Sequence, residues 1–159
     1  MAMADTRFRC ERCGRIEPLE QPVWRCPACG GALELDRLST LRADAIVRDE
    51  PSIWRYAAAI PVERGDTTAL GGGMTPLVPG SLAGRPVRFK LDSLLPTGSF
   101  KDRGAAVTIA YLRSIGVHRV IVDSSGNAAA AMAGLAGGHR LEGVIYAAAT
   151  PSPGTLVQA

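Results

Sequence analysis

Lys101 sits in Pro96-Thr97-Gly98-Ser99-Phe100-Lys101-Asp102-Arg103-Gly104, a glycine-hinged turn that leads into a helical pattern. The chain has two lysines, Lys90 and Lys101, against sixteen arginines. A primary amine at the head of a helix can form a Schiff base with an aldehyde, which a guanidinium cannot do. An ordinary surface lysine at a helix start has the same local pattern, so the segment alone leaves both readings open.

The second reactive set is Cys10-x2-Cys13 and Cys26-x2-Cys29, separated by twelve residues. Each CxxC turn points two thiolates at one centre. Two such turns complete a tetrahedral four-thiolate shell, which suits Zn²⁺ and leaves no position open for a substrate. Gly14 and Gly30-Gly31 follow the second cysteine of each pair, where a knuckle needs permissive backbone angles. The spacing therefore predicts a structural zinc ribbon over residues 1–35. A pair of disulfides is the competing reading. The ribbon can be a folding clip for a module with few apolar residues. It can also be a recognition module for nucleic acid or protein, because Arg7, Arg9, Arg12, Arg15 and Arg25 make it basic.

A third candidate is Ser124-Ser125-Gly126-Asn127, which follows the apolar run Val120-Ile121-Val122 and opens the next helical pattern. Ligands of open α/β sheets collect at such carboxyl ends of strands. Hydroxyls, a glycine and free N–H groups there suit a carboxylate or phosphate; ordinary N-capping uses the same residues. Gly71-Gly72-Gly73-Met74-Thr75-Pro76-Leu77 lacks the GxxxxGK[ST] pattern of a P-loop. It reads as a flexible approach to the strand that follows. His118 and His139 are isolated and read as loop or helix-end residues.

These residues need elements to hold them. Residues 36–74 read as a helical linker with two short helices. Leu38, Leu41, Ala45 and Ile46 share a face of the first, with Asp36 as its N-cap. Ser52 caps the second, which Pro51 and Pro61 bracket. Trp24 and Trp54 are expected to pack the ribbon and the linker. From residue 75 to 159 the pattern is β-α-β-α-β: strand Val87–Leu91, helix Asp102–Ile115, strand Val120–Val122, helix Gly126–Leu135, strand Val144–Ala147. That order predicts an α/β fold with a parallel sheet. Pro151-Ser152-Pro153-Gly154 reads as a loop, and the chain reads as cut in mid-fold beyond it.

At 159 residues the chain can form one compact domain plus a small module. Apolar residues make up 47%, enough for a core, and the net charge is +3. With no long basic run, nucleic acid is not implied by charge. No stretch approaches the roughly 18 apolar residues of a membrane span, and the N-terminus lacks a signal-peptide core. A cytoplasmic protein is expected, and paired CxxC turns in that compartment read as metal ligands.

Taken together, the motifs are specific. Pro96 to Gly104 resembles the pyridoxal phosphate (PLP) lysine motif of threonine synthases, which are fold-type II PLP enzymes. Gly73-Met74-Thr75-Pro76-Leu77 looks like their G-x-T-P-L segment, Ser52-Ile53-Trp54-Arg55-Tyr56 like their W-R-Y segment, and Asp123-Ser124-Ser125-Gly126-Asn127 like their S-x-G-N turn. A four-cysteine ribbon with a C-x-x-C-G-G-x-L ending, like Cys26 to Leu33, precedes these motifs in one branch of the family.

The resemblance implies a zinc ribbon followed by part of a three-layer, parallel-sheet PLP domain. It implies that Lys101 carries the coenzyme and shuttles protons, that Phe100 packs beside it, and that Asn127 bonds its ring oxygen. Ser124, Ser125 and Gly126 would face the carboxylate of an amino-acid substrate. The implied reaction is O-phosphohomoserine to threonine, or a related β/γ-elimination and replacement, on a coenzyme that acts as electron sink. The family's later glycine-rich phosphate loop has no counterpart here. A truncated lyase, inactive alone, or one completed by a second chain or a homo-oligomer, is therefore expected. The alternatives are a non-catalytic zinc-ribbon binding protein and a split-enzyme subunit. The ribbon is expected to lie far from the coenzyme.

Overall fold

The computed structural model describes residues 6–36, 40–65 and 72–149. The N-terminal module is a three-stranded antiparallel sheet of β1 (Arg7–Cys10), β2 (Ile16–Pro18) and β3 (Leu33–Asp36), in the order β2-β1-β3. Phe8 pairs with Glu17 on one side and with Leu35 on the other. The two cysteine turns close with matching hydrogen bonds, Gly14 N–H to Cys10 O at 2.9 Å and Gly30 N–H to Cys26 O at 2.8 Å. Both glycines have positive φ, +72° and +68°, where a side chain would be strained.

Asp36 closes β3; residues 37–39, where the helix it is expected to cap would begin, lie outside the described residues. Among the described residues, the first expected linker helix is a single 3-10 turn over Ala43–Ala45, with Leu41 just before it exposed; Leu38 falls outside the described residues. This three-residue turn has no capping side chain and buries none of its residues, so nothing offsets the cost of nucleating a longer helix. The second forms as a 3-10 segment, Ile53–Ala59, kinked at Tyr56. The predicted cap is in place, since Ser52 Oγ accepts from Trp54 N–H at 3.2 Å. Trp54 is buried at 3% exposure.

The glycine run after the linker works by close approach. Ser52 and Gly73 form an isolated antiparallel bridge. Met74 N–H donates to Pro51 O at 2.9 Å, and Ile53 N–H to Gly72 O at 3.1 Å. A Cβ on Gly73 would stand 1.9 Å from Pro51 O, so only glycine allows this contact. Gly71 lies outside the described residues.

The strand expected at 87–91 forms as β5 (Arg85–Lys90), but it pairs with β4 (Leu77–Leu82) in an antiparallel hairpin and not with the later strands. Ala83 and Gly84, with φ of +50° and +75°, make the two-residue turn; positive φ at both central positions is the geometry that closes a hairpin. The other four elements follow expectation. α1 (Lys101–Ser114) leads to β6 (Arg119–Asp123), α2 (Asn127–Gly138) and β7 (Glu142–Tyr146). β6 and β7 pair in parallel, Arg119 with Glu142 through Asp123 with Tyr146, as a β-α-β unit.

α1 packs on two sides. Ala105 and Ile109 meet Ala131, Leu135, Ala136 and Leu141 of the β-α-β unit. Ala110 meets Trp54 and Val62 of the linker. Alanine at these positions lets the helices approach closely, and each large side chain fully buried there, such as Ile109, contributes about 2 kcal/mol. Among the described residues no helix is long and apolar enough to cross a membrane.

Candidate functional site

The fold brings the four cysteines together. Their sulfurs all lie within 4.8 Å of one another. Cys10 Sγ is 3.5 Å from Cys29 Sγ, and Cys13 Sγ is 3.6 Å from Cys26 Sγ. Four thiolates about 2.3 Å from a tetrahedral Zn²⁺ would be spaced by roughly 3.8 Å, so the set fits a metal. Backbone N–H groups reinforce it. The Cys13 N–H leads a set of contacts that pull the Cys10 thiol down to about 6. At Cys29 the Gly31 N–H also pulls down, but the surrounding thiols of Cys10, Cys13 and Cys26, with burial, push it up to about 12. Four negative sulfurs repel at this range, so the cluster shares protons unless a cation is present. Cys10 and Cys26 are buried and no disulfide is formed.

Lys101 is the first residue of α1 and is exposed; its Nζ lies 4.9 Å from the centre of the Phe100 ring, which is also exposed. The preceding turn is pinned from below. Asp102, at 2% exposure, accepts from the Thr97 N–H at 2.8 Å and from the Thr97 hydroxyl. Ser99 Oγ accepts from the Lys101 N–H at 3.3 Å. Lys101 thus stands on a turn whose neighbours are committed to internal bonds.

The Ser124–Asn127 turn lies where expected, between β6 and α2. Ser124 N–H donates to Tyr146 O at 3.0 Å, which extends the β6–β7 pairing by one bond. Ser124 Oγ accepts from the Gly126 N–H at 3.2 Å. Ser125 and Asn127 are exposed, and a Cβ on Gly126 would meet nothing within 4 Å. The first N–H groups of α2 have no intrahelical partner, so the turn can receive an anion. The packing of α1 on α2 joins it to the lysine helix; among the described residues no hydrogen bond links the Lys101 side chain to this turn.

A polar network that spacing did not reveal sits beside the lysine turn. Arg103 donates to Gly73 O at 2.8 Å, to Asp92 Oδ1 at 2.9 Å and to Thr75 Oγ1 at 3.3 Å. Thr75 donates to Asp92 at 2.7 Å, and Lys90 Nζ donates to Thr75 O and Oγ1. The Arg103 hydrogen bond, then that of Thr75, holds Asp92 below the usual carboxylate range, with the charges of Arg103 and Lys90 adding to it. This network fastens the Gly73–Leu77 segment to the helix that starts at Lys101. The only sequence signal for it is the charged pair Lys90 and Asp92 in one segment and Arg103 in another.

The ribbon docks elsewhere on α1. Tyr111 donates to Leu19 O at 2.8 Å, and its ring meets Phe8 edge-on at 6.1 Å. Ten residues of helix separate Tyr111 from Lys101, about 15 Å at 1.5 Å per residue. Trp24 does not pack the ribbon as expected. It is 79% exposed and lies under the Arg25 guanidinium at 4.1 Å, because its knuckle is too small to cover an indole.

The pyridoxal-phosphate-dependent enzyme family matches residues 68–158, more than half of the chain, so the chain belongs to that family. The particular relatives agree with one another. Threonine synthase of Methanosarcina acetivorans is 32% identical over 134 residues, covering 79% of this chain and 33% of its own length. Threonine synthase of Methanocaldococcus jannaschii is 31% identical over 139 residues, with the same coverage of each chain. A Synechocystis threonine synthase is 40% identical over 88 residues, 51% of this chain and 23% of its own. The chain spans about a third of the length of the first two relatives.

Proposed function

We propose that this chain supplies the lysine-bearing part of a threonine synthase-like lyase, acting on O-phosphohomoserine or a related amino acid. The observation that carries the reading is an exposed lysine at the head of α1, on a turn locked by a buried aspartate, within the matched family region. When bound, PLP supplies an electron sink for charge developing at the substrate carbon.

The chain's own residues have separable tasks in this reading. Lys101 holds the coenzyme through its Nζ and carries protons to and from the substrate. Phe100 covers one side. Asn127 orients the ring oxygen. Ser124, Ser125 and Gly126 receive the substrate carboxylate, helped by the positive end of α2. The four cysteines hold zinc as a structural ion, remote from the chemistry. The remaining walls and the phosphate cradle come from polypeptide beyond these 159 residues or from a second chain.

Selectivity for Lys101 has a physical basis. Lys90, the other lysine, is committed to Thr75 O and Oγ1, whereas Lys101 faces solvent. Treating the zinc-loaded chain with PLP, reducing with borohydride and mapping peptides is expected to place the label on Lys101. The Lys101→Ala variant is expected to lose it. Label confined to Lys90 or to the N-terminal amine would overturn the reading.

A further inference from the structure

A second cavity lies at the opposite end of α1, between the cysteine module and the linker. It has a volume of ≈ 390 Å³, within the range of small-molecule sites, which favour such junctions between modules. Its apolar walls are Leu19 from the loop after β2, Pro61 and Val62 from the linker, and Ile115 and the Tyr111 ring from α1. Two carboxylates, Glu20 and Glu63, complete it with Ser114, and among the described residues no basic residue lines it. Among the described residues neither glutamate has an ion-pair partner.

The polar groups of this cleft all favour one sign of charge. Ser114 Oγ donates to Tyr111 O at 2.8 Å, and Tyr111 Oη donates to Leu19 O at 2.8 Å. Both hydroxyl protons are therefore spent on backbone carbonyls, and the side chains of the cleft present acceptors. The C-terminal end of α1, at Ser114 and Ile115, adds the negative pole of the helix. Burial, then the Glu20 charge, pushes the Tyr111 phenol up, so the ring stays neutral. A neutral aromatic face attracts a cation.

We propose that this cleft binds an organic ammonium ion, a primary amine on a short apolar body. The amine faces the glutamates and the helix end, and the body lies against Leu19, Val62 and Ile115. Leu19 and Glu20 belong to the cysteine module, while Tyr111 belongs to the helix that starts at Lys101. Occupancy therefore ties the module to that helix, and the site is independent of the coenzyme chemistry proposed above.

Trp54 reports on the site, because it packs with Val62 in the cluster that Tyr111 joins. A Trp24→Phe chain leaves it as the only tryptophan. The zinc-loaded full chain would be titrated with hexylammonium, neutral 1-hexanol and hexanoate while Trp54 emission is followed. A saturable response to hexylammonium is expected, weaker binding of hexanol, and no response to hexanoate. Glu20→Gln and Glu63→Gln are each expected to weaken hexylammonium binding by about two- to fivefold, with circular dichroism unchanged. Equal binding of hexanol or hexanoate, unchanged binding by both glutamine variants, or no saturable response would each overturn the proposal.

Discussion

At the residue scale the lysine turn depends on two adjacent side chains of opposite charge. Asp102 holds Thr97 ahead of the lysine, and Arg103 holds Gly73, Thr75 and Asp92 beside it. Replacing Asp102 with alanine removes two bonds to a buried carboxylate and is expected to cost about 2 kcal/mol. Denaturant melts would measure the loss, and amide exchange at Thr97 would localise it. Asp92 gives a pH signature of defined sign. Its folded pKa is depressed, mainly by Arg103, so its contribution is complete above the ordinary carboxylate value of about 3.9 and is lost as pH falls through that value toward the folded one. Acid melts of the parent are expected to show this loss, and Arg103→Gln to flatten it.

At the scale of elements, the linker and the segment before β4 are held by backbone contact. Gly73 is the point where they touch. Gly73→Ala would place its Cβ 2.4 Å from Ser52 Cα and against Pro51 O, forcing the bridge apart at a cost of about 2–3 kcal/mol. Gly104→Ala, inside α1 with nothing within 4 Å of the added carbon, is expected to stabilise by about 0.5–1 kcal/mol. Thermal melts of the pair therefore separate close approach from ordinary helix propensity. β6, α2 and β7 position the Ser124–Asn127 turn by a different means: parallel pairing fixes the end of β6, and buried alanines fix the start of α2.

At the scale of the whole molecule, the cysteine module has few buried apolar residues, Cys10 and Cys26 among them. A metal held by the four cysteines would supply much of its folding energy. One zinc per chain is expected by metal analysis. Chelation is expected to unfold the module and release the Tyr111 contacts to Leu19, while the α1–α2 core persists; amide exchange would resolve the two regions. The ribbon and the lysine turn lie at opposite ends of α1, so metal loss is expected to act on stability before it acts on Lys101.

Local patterns determined much of this protein by themselves. The cysteine spacing specified a four-sulfur cluster, because two short turns with glycine after them can converge on one centre. The helix over Lys101–Ser114, the Ser52 cap and the β6-α2-β7 order were legible because each rests on contacts between residues near in sequence. The motifs from Gly73 to Asn127 placed the chain in its family for the same reason. Tertiary structure decided the rest. It put β5 into a hairpin, since a two-residue turn made β4 the nearest partner. It left Trp24 in solvent, because hydrophobicity cannot say whether a neighbour is large enough to cover it. It drew Thr75, Asp92 and Arg103 into one network, and Glu20, Glu63 and Tyr111 around one cleft. Those groups are separated by tens of residues in sequence, and only packing brings such distant charges into each other's field.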